Sequence, residues 1–450
     1  METITELADL LQMDLTEDHR IRCAGHIIQL IIKAVIYGKG LSKFELELAQ
    51  AAPQDQFNMF RQYGVVGKLH NFVNAILASH KRREAFKALQ QELSDDDPLW
   101  AFGTLNLVRD GGVRWHSVYL MLLRCLELKP AINLFIRKYD STRADAYLFG
   151  NTALSEKITD DDWEEAQLLA NFLQVFYEMT KRVEGGSAQG SLWMTITNLQ
   201  HLYAELSKLK EILQYEDDTH YLKNGVLYGI EKLGTYWEKL IIKPEVSYYA
   251  VATILNPQLR LLWFKDKWRR HPIWHQKAET SMEIVFQRYV DSVDRSDEPQ
   301  QPIELRRKSP GGLYNETLAV DTSLLTGARS YKRARKTTEL SKYYDSIAQD
   351  IQEAGEESLL WGDPLTWWQK VGQKTYPTLY KIALDFLSIP ATSCECERAF
   401  SGARRTVTFE RNSLSGSTIE ALQLQKDWLK KGIIRSELKE LVNYINTNRI

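Results

Sequence analysis

A mainly α-helical protein is what the sequence predicts, and three observations carry that prediction. Apolar residues recur at steps of three and four over long stretches, as from Asn171 to Tyr177 and from Leu199 to Leu213, the spacing that gathers them on one face of a helix. Runs that alternate at every second residue, as half-buried strands do, are scarce. The composition, 44% hydrophobic and 26% charged with 12 Trp and 21 Tyr, is that of a chain that buries a core. The balance of 57 Lys and Arg against 59 Asp and Glu leaves a formal net charge of −2. This excludes a protein that coats nucleic acid or anionic membrane over its whole surface, so any such contact is local.

The elements follow in order. Met1 to Asp14 is acidic and lacks the basic start of a signal peptide, and no run approaches the ~20 apolar residues of a membrane span. Four cysteines make no disulfide framework, and the chain reads as intracellular. The clearest strand candidate is short, His19 to Cys23, and leads into an apolar helix from His26 to Tyr37 that stops at Gly38 and Gly40. On that helix His26, Gln29 and Lys33 form a polar stripe.

A helical body runs from about Ser42 to Asp291, punctuated by Gly111 and Gly112 and by Gly185, Gly186 and Gly190. The acidic triplets Asp95 to Asp97 and Asp160 to Asp162 precede Trp100 and Trp163. Consecutive Asp side chains diverge, so they read as charges that complement helix N-termini rather than as metal ligands. Ser292 to Lys336 is a linker by composition. Between Arg306 and Lys342 stand nine basic residues against three acidic ones, with Arg329, Lys332, Arg333, Arg335 and Lys336 within eight positions. That run is a solvated linker, a nuclear-import address or a phosphate-contacting strip.

Order returns at Glu339. Trp367, Trp368, Tyr376 and Pro377 introduce an apolar helix that Pro390 ends. In ATSCECERAFSGARR, helical spacing puts Ser393, Glu397, Ser401 and Arg404 on one face and Cys396, Ala399, Phe400 and Ala403 on another. Ser417 and Glu420 form a Ser-x-x-Glu capping box for the last helix. Along it Ile419, Leu422, Lys426, Leu429 and Ile433 step by three and four, a seam suited to a neighbour.

Among candidate sites, Cys23 and His26 are three apart, but no further ligands with zinc-site spacing stand nearby. Trp115, beside Arg114 at a glycine loop before an apolar helix, is either a core residue or a ring for stacking on a nucleic-acid base with the guanidinium on a phosphate. Walker, Gly-x-Ser-x-Gly, His-Glu-x-x-His and dinucleotide signatures are absent. Cys394 and Cys396 are one apart, the wrong spacing for a redox pair.

Taken together, four blocks resemble the hAT superfamily of DNA transposases, particularly its fungal elements. They are RCAGHIIQLIIKAVIYG; VRWHSVYLML; SYYAVATILNPQLRLLWF; and DPLTWWQ with YPTLYKIALDFLSIPATSCECERAFSGARR and IEALQLQKDWL. The blocks stand in family order, with Gln29 and His116 where the family usually has Asn.

The resemblance implies a remnant of an RNase H-like α/β core, residues 1–40, interrupted by a large all-α insertion domain, 41–291. A basic linker, 292–338, and a C-terminal return helix with dimerisation region, 339–450, complete it. It maps the family's catalytic Glu onto Glu397. The family's two Asp partners, which with it hold two divalent metals, find no counterpart before Cys23. The expectation is an N-terminally truncated, catalytically inactive derivative needing no cofactor. Mg²⁺ or Mn²⁺ enters only in the alternative, an active transposase with further N-terminal sequence. Implied DNA contacts are Cys23, His26, Arg114, Trp115, Arg398 and Arg404. Implied dimerisation residues are Phe400, Ile419, Leu422, Trp428 and Leu429. The expected partners are a second copy of the chain and DNA, with no membrane and no small-molecule substrate, in the nucleus.

Overall fold

The computed structural model describes residues 20–39, 41–96, 104–111, 115–139, 157–184, 191–217, 220–293, 338–346, 363–393, 415–430 and 432. The chain divides into two compact units, 1–391 and 392–450. The sequence-derived boundaries at 40, 291 and 338 all fall inside the first. The described residues are helical, with no strand among them. The strand candidate His19–Cys23 is therefore corrected over its described part. Residues 20–23 pair with no strand; the Tyr249 hydroxyl accepts from the Arg22 amide at 2.5 Å and donates to its carbonyl at 3.1 Å.

The centre of the first unit is α1 (Ala24–Tyr37). Its apolar residues Ile27, Ile28, Ile31, Ile32, Val35 and Ile36 are buried, while His26 is exposed and Gln29 and Lys33 half-buried, as the polar stripe predicts. Helices α2 (Leu41–Gln50), α3 (Pro53–Arg61), α4 (Gly64–Leu77) and α5 (His80–Asp96) follow. After them come α6 (Trp115–Glu127), α7 (Lys129–Lys138), α8 (Asp160–Glu184), α9 (Met194–Ile212) and α10 (Tyr221–Trp237).

The closest pairing is α1 with α10, and two glycines permit it. A Cβ at Gly225 would lie 2.0 Å from the Val35 carbonyl oxygen, and one at Gly229 would lie 2.6 Å from the Val35 side chain. Small residues at successive turns let the two backbones approach to near contact.

The start of α8 shows why the second acidic triplet is there. Thr159 Oγ1 accepts from the Asp162 amide at 3.2 Å, and Asp162 accepts from the Thr159 amide and hydroxyl at 2.7 and 2.9 Å. This reciprocal cap satisfies amides that a helix start leaves open. Lys68 of α4 adds an ion pair to Asp162 at 2.8 Å, so the cap also fixes α8 to α4.

A second group of elements packs around a buried arginine. These are α11 (Tyr248–Ile254), α12 (Arg260–Lys267), α13 (Pro272–Val293), α14 (Glu339–Asp345), α15 (Pro364–Trp367), the π-turn 368–372, α16 (Gln373–Thr375) and α17 (Pro377–Leu387). Arg260 is 1% exposed. Its guanidinium bonds the Tyr343 carbonyl and, at 3.0 Å, Ser346 Oγ. It also lies over the rings of Tyr343 and Trp367 at 4.2 and 5.6 Å. Trp368 Nε1 donates to the Leu255 carbonyl at 2.7 Å. One side chain thus ties residues 338–346 and 363–387 to the turn at Asn256 and Pro257.

The second unit is described through α18 (Gly416–Lys430). Its cap lies two residues before the predicted capping box: Ser415 Oγ accepts from the Thr418 amide at 3.2 Å. Ser415 completes the helix start, which leaves Ser417 and Glu420 inside the first turns.

Candidate functional site

Residues from three distant parts of the sequence meet where α1 begins. The Ala24 amide donates to the Ala391 carbonyl at 2.7 Å, and the Leu192 amide donates to the Ile389 carbonyl at 3.1 Å. The Ala391 amide donates to Ser191 Oγ at 3.0 Å. The segment that leads to the Glu397 string therefore runs beside Cys23, and α1 opens at that junction. Cys23, a free half-buried thiol, precedes the first turn of α1, and His26 stands exposed in it. Among the described residues no three His, Cys, Asp or Glu side chains are placed to hold a metal ion. Glu397, Arg398, Phe400 and Arg404 lie outside the described residues, as does Arg114.

Trp115 is placed differently from the stacking reading. It begins α6 with 2% of its surface exposed, so its ring belongs to the core and offers no face to a base. The core alternative is the one the structure carries. Its neighbour His116 is exposed and meets the ring of Tyr177 edge-on at 4.7 Å. Ser117 of the same block donates to the Asp110 carbonyl, which anchors the start of α6 to the preceding loop.

That loop belongs to a constellation that sequence reasoning missed. Asp110, 2% exposed, sits 2.8 Å from His70 Nδ1. Asn74 Nδ2 lies 3.0 Å from His70 Nε2, and Phe60 stacks on the imidazole at 3.5 Å. A histidine with both nitrogens engaged and one face covered is a structural fastener, holding the 104–111 loop to α4. Only the Asn74 contact, four residues along one helix, has a signal in the sequence. Asp110 is forty residues away.

On α18 the exposed apolar residues are Leu422, Leu424, Trp428 and Leu429, at 39%, 44%, 43% and 37%. At the α-helical angle per residue, half-buried Ile419, Leu422 and Leu429 share one stripe. Leu424 and Trp428 lie on the far side. Trp428 therefore stands off the predicted seam, and α18 offers apolar surface on two faces.

The chain is similar to two family descriptions. Residues 347–429 match the hAT family C-terminal dimerisation region, and residues 21–172 match the ZBED1 RNase-like helical domain. It is 25% identical to the putative transcriptional regulator tpeD of Talaromyces stipitatus, over 96% of this chain and 44% of that one. It is 23% identical to the putative AC transposase of Zea mays, over 91% of this chain and 44% of that one. With the BED zinc-finger protein RICESLEEPER 4 of Oryza sativa it shares 22% identity over 82% of this chain and 53% of that one. The chain thus spans about half the length of these curated relatives or less.

Proposed function

We propose that this chain, a member of the hAT family of transposase-like proteins, is a self-associating, transposase-derived protein that works on DNA in the nucleus. The observation that carries the reading is the C-terminal one. The dimerisation-region match ends at Leu429, within a helix whose leucines and tryptophan stand in solvent on two faces. Burying the exposed two fifths or so of such a side chain is worth roughly 1 kcal/mol each, and a second copy is the partner that the family supplies. The nuclear assignment is supported by the names of the relatives, a transcriptional regulator and a transposase, and by the basic run from Arg329 to Lys336.

In this reading the junction of Ala24, Leu192 and Ile389 to Ala391 is what this chain holds of the family's RNase H-like core. Of the family's three carboxylates, the residues present supply the Glu397 position. A two-metal centre needs further carboxylates, and no cleavage step is assigned to Glu397 by itself.

Two copies carrying different tags, expressed together, test the association. Capture of one tag should bring down the other, and removal of residues 392–450 should abolish it. Two tagged copies that never co-purify would sink the proposal. A divalent-metal-dependent nicking assay on supercoiled DNA should leave the substrate intact; nicking that Glu397→Gln abolishes would overturn the inactive assignment.

A further inference from the structure

We propose that the turn between α12 and α13 is a duplex-DNA contact surface that holds the phosphate backbone. The proposal rests on the DNA-binding part of the preceding reading and places it on residues. From Lys265 to Lys277 the sequence KDKWRRHPIWHQK carries five basic residues and one acidic one, with two histidines besides, in a chain whose net charge is −2. Lys265, Lys267, Arg269, Arg270 and His271 are all exposed.

Their local duties do not use this charge up. Lys265 and Lys267 lie in the last turn of α12, where cations complement the helix dipole. Arg269, Arg270 and His271 stand beyond that helix and gain little from it. Asp266, the one acid in the segment, takes Lys267 at 3.1 Å and Arg269 at 3.6 Å. Among the described residues neither Lys265 nor Arg270 has an acidic partner.

The mount is rigid. Trp268, 1% exposed, donates from Nε1 to Gln200 Oε1 at 3.1 Å. It packs edge-on against Trp237 at 5.5 Å and Trp274 at 5.6 Å. The His271 amide donates to the Trp268 carbonyl at 2.7 Å, and its imidazole stacks on Trp274 at 4.3 Å and 13°. Cations presented from a clamped turn lose little backbone freedom on binding, which favours a regular array of phosphates.

The same packing selects the ligand. Single-stranded nucleic acid is held by aromatic faces on which bases stack, and here the indole at the centre of the turn is buried. Outside, beside His271, Pro272 and Ile273, stand four exposed cations, Lys265, Lys267, Arg269 and Arg270, the chemistry of sequence-independent contact with a duplex backbone.

The test is fluorescence anisotropy of a labelled mixed-sequence duplex with the full chain, titrated at several salt concentrations. The patch variant is Lys265→Gln with Arg269→Gln and Arg270→Gln. The matched control removes the same charge elsewhere, Lys81→Gln with Lys210→Gln and Lys232→Gln. Because the altered side chains are exposed, thermal melting of both should follow the wild type. The patch variant should bind at least about tenfold more weakly at low salt, with a salt slope shallower by about 2 to 3, since each lost phosphate contact removes about 0.9. The control should bind as the wild type does. Equal losses in both variants, or none in the patch variant, overturn the placement while leaving DNA binding intact. A wild type that binds no duplex even at low salt removes the DNA-binding reading, and this surface with it.

Discussion

Arg260 is the side chain on which most of the second group of helices depends. Its charge sits among carbonyls, a hydroxyl and two aromatic faces. Removing it would take a donor from the Pro257 and Tyr343 carbonyls and from Ser346 Oγ, which keeps the Tyr376 hydroxyl, and open a cavity beneath Trp367. Arg260→Met should cost about 3 kcal/mol or more, measured by urea unfolding at neutral pH. A cost under about 1 kcal/mol would mean that the arginine is a passenger. Glu165 makes a second prediction. Burial pushes its carboxyl up to about 7, while the Tyr221 hydroxyl and Lys68 pull the other way and Asp162 and Glu216 add to the rise. His220 Nε2 lies 3.8 Å off. The native state thus keeps a proton that the unfolded chain releases near the ordinary carboxylate value. The stabilisation is full below about pH 4.5 and is lost as pH rises through about 7. Glu165→Gln should flatten that dependence and, at pH 8, unfold at a higher urea concentration than the wild type. Unchanged pH dependence would contradict the assignment.

The readable residues were those whose partners are near in sequence. Asp160 to Asp162 announce a helix start by local chemistry alone, and the structure adds the Thr159 cap and the partner Lys68. Arg260 lies within a block whose resemblance was plain, yet its role depends on Tyr343 and Ser346, more than eighty residues on. Periodicity cannot convey that. Trp115 stands between two readings: residue type favours the core while Arg114 and the glycines give it the setting of an exposed loop, and its burial decides for the core.

Among elements, the contact of α1 with α10 is the most exacting. Gly225→Ala would drive a methyl into the Val35 carbonyl, which backbone cannot yield cheaply, and should cost about 1 to 3 kcal/mol. Gly234, about two and a half turns along the same helix, has nothing within 4 Å of a Cβ position. There Gly→Ala should stabilise by about 0.5 to 1 kcal/mol through helix propensity. Thermal melts of the two variants should move in opposite directions, and shifts of the same sign would contradict the close approach. The sequence foretold the helix from His26 to Tyr37 and, for the other, only a helical body from Ser42 to Asp291; it gave no hint that the two pair, because helix partnership is set by surface relief rather than by hydrophobic spacing. Around α18 the sequence located the helix and most of its apolar seam. It misplaced the cap by two residues, since Ser417 with Glu420 fits the Ser-x-x-Glu pattern while Ser415, followed three residues on by Thr418, caps through its hydroxyl alone.

For the molecule as a whole, the mainly helical class was legible, and no strand of the expected α/β remnant lies among the described residues. The net charge of −2 takes on a clearer meaning. Although most Lys and Arg are spread along the chain, the sequence carries local positive excess at Lys265 to Lys277, five basic residues against one acidic, and at Arg306 to Lys342, nine against three. No described helix is long and apolar enough to cross a membrane. Pairing of copies through the C-terminal region is measured most directly by light scattering coupled to size exclusion. At micromolar concentration the 450-residue chain should have a mass of at least two protomers. Leu422→Glu combined with Trp428→Glu, one on each apolar face of α18, should reduce it to a single protomer without shifting the melting of the first unit. A wild-type chain that runs as a monomer, or a double variant that associates as the wild type does, would contradict it.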